Sequence, residues 1–422
     1  MSAVTESSSE RKYDILIWGA TSFTGERLVE YLAANAPEDT RIAIGGRNQA
    51  KLESVRARLS AKHSSLSSVI DAMDIAVGDS ADSARMHEIA SQTRVVASTV
   101  GPYARYGTNL VRACVDEMTD YCDITGEVPW VKQMHCELNE QAVNSNVHIA
   151  SLCGFDCIPA DLGCMMLAEH ARDKFKEPLL HVKGSIVGIR GGVSGGTLAT
   201  MSSQISAEAK GVLSSQIASH KPATGNGKRF EKRGIIHYDK TLQRWQTFWL
   251  MSPVNTATAN WAGRVLEYGQ GFEYEESMST RGLIHAVAIA LGLFYGMVLM
   301  MFSFTRRALY ALKIIPKPGE GPSESFTQRG FFSLHLEAST ENHTFYGKVA
   351  GSSDPGYGET IKYLGESALC LAFDRSESFR PGVYPPSVIM GDALLSRLRN
   401  KNCVFRVSDK PIPAIESSKK HV

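Results

Sequence analysis

The sequence predicts an α/β protein: an N-terminal doubly wound parallel sheet of the Rossmann type, then a second α+β domain with an antiparallel sheet. Three observations carry this. Short apolar runs alternate with helical stretches through roughly the first 150 residues. A glycine turn, Gly19-Ala20-Thr21-Ser22-Phe23-Thr24-Gly25, joins the first run to the first helix. After Leu162 the rhythm changes, and Phe331 to Ala338 and Thr344 to Ala350 alternate apolar and polar residues as a hairpin does. The 422 residues also exceed what one hydrophobic core usually serves, about 250–300 residues.

Each element follows from its pattern. Tyr13 to Trp18 is an apolar run, and the helix after it carries Leu28, Val29 and Leu32 on one face. Arg41 to Ile44 is a second run ending at Gly45-Gly46-Arg47, and a polar helix follows from Gln49 to Ser60. Ile75 to Val77 is a weaker third strand closing on Gly78-Asp79, and Val95 to Val100 a fourth. Leu110, Val111, Cys114, Val115 and Met118 then form a stripe at helical spacing. Tyr121 to Ile124 and Val147 to Leu152 complete the sheet, and His181 to Ile189 is a longer strand beyond it. Gly191 to Thr197 is glycine-rich and leads into a small-residue helix to Ser214; residues 224–228 form a turn and 316–330 a loop. The divisions expected are a polar tail 1–12, a nucleotide domain 13–160, a substrate domain 161–352, a helical return toward the first domain 353–408, and a polar tail 409–422.

Composition narrows the function. At 43% hydrophobic and 21% charged, the chain can bury a sizeable core, which excludes wholesale disorder. Forty-five basic residues against 44 acidic ones leave no basic excess, so no nucleic-acid partner is expected. The eight cysteines include no CxxC pair, which reads as buried thiols in a reducing compartment, with no metal site. The first residues carry no apolar stretch, so no secretory signal is expected.

The glycine turn carries the chemistry. Diphosphate binding needs a tight turn, close backbone approach and a helix N-terminus aimed at the anion. Gly19, Thr21, Ser22, Phe23, Thr24 and Gly25 are placed to supply these, with Ser22 where many such loops have glycine. At the end of the second strand an acid would hold the ribose hydroxyls of NAD. Here stands Arg47, with no acid before Glu53; a guanidinium suits a 2′-phosphate, so NADP is expected over NAD. Val100 and Gly101 end the fourth strand where the crevice of an open sheet lies. Tyr103 is read either as a proton donor or as an aromatic packed on the cofactor. Asp123 and Glu127 either orient substrate or water, or cap the next helix. Asp156 either faces the nicotinamide region or caps a helix.

Together GATSFTGE, VGPYARYG, YCDITGE, CGFDCIPADLG, GGVSGGT, GEGPS and DPGYGETIKYLGESALCLA resemble the saccharopine dehydrogenase-like oxidoreductases, the group that includes the mycobacterial trans-acting enoyl reductases. The resemblance spans Tyr13 to Arg406. It implies a Rossmann domain, a substrate domain and a C-terminal return. It also implies an NADPH-dependent reductase of enoyl or carbonyl groups on lipid or glycolipid precursors, which acts at membranes or lipid droplets. The competing expectation is a droplet- or membrane-associated protein that binds nucleotide without turnover.

Gly282 to Phe304 is apolar apart from His285 and a few small polar groups. As a helix it would be about 34 Å long, enough for a bilayer core. Arg281 and Arg306-Arg307 flank it. Membrane or droplet attachment on the cytoplasmic side is expected, through a re-entrant hairpin bent near Gly292 or Gly296 or a helix lying on the surface. A helix buried in the second domain or in a homodimer interface is the alternative, and a single crossing is argued against.

Overall fold

The computed structural model describes residues 11–191, 233–312 and 329–413. The loop at 192–197, the small-residue helix to Ser214, the turn at 224–228, most of the loop at 316–330 and the outer parts of both tails lie outside these residues. The chain divides into two compact units: Met1–Gly154 with Thr360–Leu398, and Phe155–Glu359 with Arg399–Val422.

The first unit begins with β1 (Tyr13–Trp18), β2 (Ile42–Gly46), β3 (Asp74–Val77), β4 (Thr93–Ser98), β5 (Asp120–Asp123) and β6 (His148–Ala150). The second contains β7 (His181–Arg190), β8 (His237–Asp239), β9 (Arg244–Phe248), β10 (Glu273–Thr280), β11 (Phe331–Ser339) and β12 (Thr344–Gly351). Then β13 (Gly382–Tyr384) returns to the first sheet and β14 (Val404–Ser408) to the second.

The first sheet runs β13-β6-β5-β4-β1-β2-β3, with every pairing parallel. Its interior strand β1 is buried at all six positions, as a strand covered on both faces must be. The buried charge there is answered: Asp14 accepts from Arg41 at 2.9 and 3.1 Å and from Arg94 at 3.3 Å. The predicted apolar stripe becomes the helix Thr108–Asp116, burying Leu110, Val111, Cys114 and Val115, while Met118 falls beyond the helix end and is exposed.

The second sheet runs β14-β12-β11-β7-β10-β9-β8. The predicted hairpin is β11 against β12, paired from Phe332↔Gly351 to Ser339↔Thr344. The sheet is mixed rather than wholly antiparallel, because β7 and β10 are parallel. A helix, Ser252–Val265, lies between the antiparallel neighbours β9 and β10. Helix Ile158–His170 is buried along nearly its whole length. It can lie on β11 because a Cβ on Gly163 would come within 2.9 Å of Leu336 Cδ1.

Residues beyond the second unit's hairpin rejoin the first unit through helix Thr360–Phe373. A Cβ on Gly365 would stand 2.5 Å from Tyr31 Cδ1, so the helix approaches Phe23–Asn35 only at a glycine. Beside it, Glu366 is buried and accepts from Tyr31 Oη and Arg397 Nε, each at 2.7 Å. Arg397 also donates to Asp374 at 2.7 Å.

The apolar segment forms one unbroken helix, Leu283–Met301, without a bend at Gly292 or Gly296. Among its described side chains only Ala286 is buried.

Arg397→Met should destabilise the first unit by about 3–5 kcal/mol, because it removes the Arg397 guanidinium from the buried Glu366 carboxylate. Denaturant unfolding measures this, and adding Glu366→Gln should recover part of the loss.

Candidate functional site

The site is built where β1 hands over to helix Phe23–Asn35. Gly19 N and Ala20 N donate to Gly45 O at 2.9 and 3.1 Å, which ties the turn to the end of β2. Gly19 has φ +93°, and a Cβ there would meet Val100 Cγ2 at 2.5 Å and Thr99 Oγ1 at 2.8 Å. Only glycine suits both the angle and the space. A Cβ on Gly25 would stand 2.1 Å from Gly19 O, so the helix starts against the turn that precedes it. Ser22 is the N-cap: its Oγ accepts from Gly25 N at 2.9 Å and lies 3.1 Å from Thr99 Oγ1. The serine in the usual glycine position therefore caps the helix, leaving the helix N-terminus facing the crevice.

A cleft of about 220 Å³ opens in front of this turn. Of the predicted residues, Gly19, Thr21, Ser22, Arg47, Val100 and Gly101 line it together. Phe23, Thr24 and Gly25 lie behind them, in the first turn of the helix. Arg47 is exposed on the cleft wall and has no ion pair among the described residues. The second helix is capped by Asn48, whose Oδ1 accepts from Lys51 N at 3.0 Å. Gly45 has a packing role, since a Cβ there would meet Trp18 Cε3 at 2.5 Å.

Trp18, Asp79, Ser80, Thr99 and Tyr106 also line the cleft and were not foreseen as site residues. Asp79 stands in the Gly78-Asp79 strand ending and Tyr106 in VGPYARYG, so both were within the motifs. Trp18 Nε1 donates to Ser80 Oγ at 3.2 Å, which fixes Ser80 across the sheet from the turn. Thr99 Oγ1 donates to Gly19 O at 3.2 Å.

The three residues read as candidate catalytic groups lie outside the cleft lining. Tyr103 is buried, its hydroxyl donating to Ser98 O at 3.1 Å and its ring 5.7 Å from Trp130. Burial pushes its phenol far above the ordinary range. Glu127 anchors the same loop, accepting from Tyr103 N at 2.8 Å and Ala104 N at 3.0 Å. Asp123, at the end of β5, is fully buried. It accepts from Tyr121 Oη, Thr125 N, Ser151 Oγ and Leu152 N at 2.9–3.2 Å. Burial still lifts its carboxyl to about 7, against the hydrogen bonds that favour the charged form.

Asp156 belongs to the second unit. It is half-buried, and loss of solvent pushes its carboxyl to about 6. It does not cap a helix: Cys157 holds the N-cap position of Ile158–His170 without a side-chain cap bond. Among the described residues no group of three or more His, Cys, Asp or Glu could hold a metal ion.

No family model matches the chain. A Mycobacterium tuberculosis protein bearing the name trans-acting enoyl reductase is 32% identical over 412 residues, covering 93% of this chain and 96% of its own length. A trans-acting enoyl reductase of Mycobacterium ulcerans is 31% identical over 420 residues, covering 93% and 97%. Among solved structures, the apo saccharopine dehydrogenase (L-Glu forming) of Saccharomyces cerevisiae superposes with a TM-score of 0.51 at 12% identity. That match covers 94% of this chain and 99% of that one, a likeness of fold.

Asp123 makes the first unit pH-sensitive. Folded, it keeps its proton to about pH 7, whereas an unfolded carboxyl loses its proton near pH ~4. Between those values the folded state binds more protons, so this contribution to stability declines as pH rises through the window. Asp123→Asn should remove a slope of up to about 1.4 kcal/mol per pH unit, measured as unfolding free energy against pH.

Proposed function

The chain belongs to the family of the mycobacterial trans-acting enoyl reductases, and from that membership we propose that this oxidoreductase uses NADPH to reduce enoyl or carbonyl groups of lipid-like substrates. When bound, the nicotinamide supplies a hydride to one carbon of the double bond, while a proton completes the other atom. The residues of the glycine turn fit such a nucleotide, since Gly19, Thr21 and Ser22 line the cleft and a helix N-terminus faces it. Gly19, Thr21 and Ser22 would bind the diphosphate, and Val100 and Gly101 let the nucleotide pass close to the backbone.

Arg47 is the observation that supports NADPH. Its guanidinium stands on the cleft wall without an ion pair among the described residues, and a 2′-phosphate is the dianion it would pair with. The enoyl class comes from the relatives' name. The exposed apolar helix Leu283–Met301 supports a lipid-like class. Reduction is tested by following NADPH oxidation with medium- and long-chain 2-enoyl thioesters and the matching carbonyl compounds. Tight NADPH binding with no oxidation across that panel would favour nucleotide binding without turnover.

Arg47→Ala should narrow the preference for NADPH over NADH by roughly ten- to a hundredfold, the effect of losing a charge-assisted contact of about 1.5–3 kcal/mol. Titration of both cofactors measures it, and an unchanged ratio of affinities counts against the 2′-phosphate reading.

Gly19→Val should abolish NADPH binding while circular dichroism still reports a folded chain. Its side chain would collide with Val100 and Thr99 at a backbone angle that β-branched residues resist. Retained affinity would move the nucleotide site away from this turn.

A further inference from the structure

We propose that helix Leu283–Met301 embeds in a single phospholipid leaflet, holding the chain on a membrane surface with both flanks of the helix on the same side. This goes beyond the reductase reading and does not depend on it. Over Leu283–Met300 the mean hydropathy is 2.2, and the helix contains no Asp, Glu, Lys or Arg. Most of its surface is exposed: Ile284 is 83% exposed, Phe294 56% and Tyr295 60%, while Ile289, Leu293 and Met297 on one side are half-buried. A helix that docks into a protein groove needs one apolar stripe, whereas a helix apolar all round suits a surrounding apolar medium. Arg281 precedes it and Arg307 follows it, both exposed, where cations meet anionic headgroups.

The sheet decides how deep it can go. The strand that leads into the helix, β10, pairs with β7, and the strand after it, β11, pairs with the other edge of β7. The chain therefore leaves and re-enters one sheet. At about 28 Å the helix is long enough for a bilayer core. A full crossing would have to be undone before β11, by a stretch containing Lys313, Lys317, Glu320, Glu324 and Arg329. Charges of that kind do not pass through hydrocarbon. One leaflet satisfies both the apolar surface and the sheet.

The test uses the purified full chain with vesicles of phosphatidylcholine and phosphatidylglycerol. The protein should float with the vesicles. Leu291→Asp with Phe294→Asp should lower its partition roughly a hundredfold, with an unchanged far-ultraviolet circular dichroism spectrum as the check on folding. Trypsin added outside sealed vesicles should cut on both sides of the helix and leave no protected fragment larger than the helix. A protected fragment that includes β11 and the residues after it would establish a crossing and overturn the proposal. Failure to float would overturn it too, and a dimer lost in the double variant would then assign the helix to a second copy.

Discussion

Helix Phe23–Asn35 begins in van der Waals contact with the backbone of the turn it leaves, and the arrangement of the cleft depends on that closeness. With 2.1 Å between Gly19 O and the place where a Cβ of Gly25 would be, any side chain at residue 25 would push the helix off β1. Gly19 is held in turn by Gly45 from one side and by Thr99 from the other. The ends of β1, β2 and β4 are thus locked into one rim, and Arg47 and Gly101 reach the cleft because their strands end at it. A parallel sheet makes this possible, since all its strands bring their carboxyl ends to the same edge.

A second close approach fixes the far end of the chain. Gly365 lets helix Thr360–Phe373 lie against Tyr31, and the contact places Glu366 where Tyr31 and Arg397 can reach it. A buried carboxylate is costly unless it is paired, so these partners specify one seating of the returning helix. The helix that carries the cap at Ser22 is therefore braced by residues more than three hundred positions later in the chain.

Buried carboxylates in both units are held by hydrogen bonds. Asp123 is saturated by four donors and Glu127 by two backbone amides, so each fixes a strand-end loop. In the second unit Glu276 accepts from Asn255 at 2.7 Å and Tyr274 at 3.1 Å, and burial lifts it to about 7. Asp156 is the less enclosed acid, and it accepts no hydrogen bond among the described residues.

The strand and helix order of the first unit was legible because parallel strands and amphipathic helices write their burial locally, as in Tyr13–Trp18 and the stripe from Leu110 to Val115. The glycine turn was legible for the same reason: a positive φ and a forbidden Cβ at Gly19 are properties of one position. The sequence by itself determined the fold class, the hairpin β11–β12 and half of the cleft's wall. Only the tertiary structure separated Tyr106, which lines the cleft, from Tyr103, whose hydroxyl goes to Ser98. It alone set β7 parallel to β10 and put Leu283–Met301 outside the core. Hydrogen-bond partners, strand neighbours and exposure are relations between residues distant in the chain, and local periodicity carries no record of them.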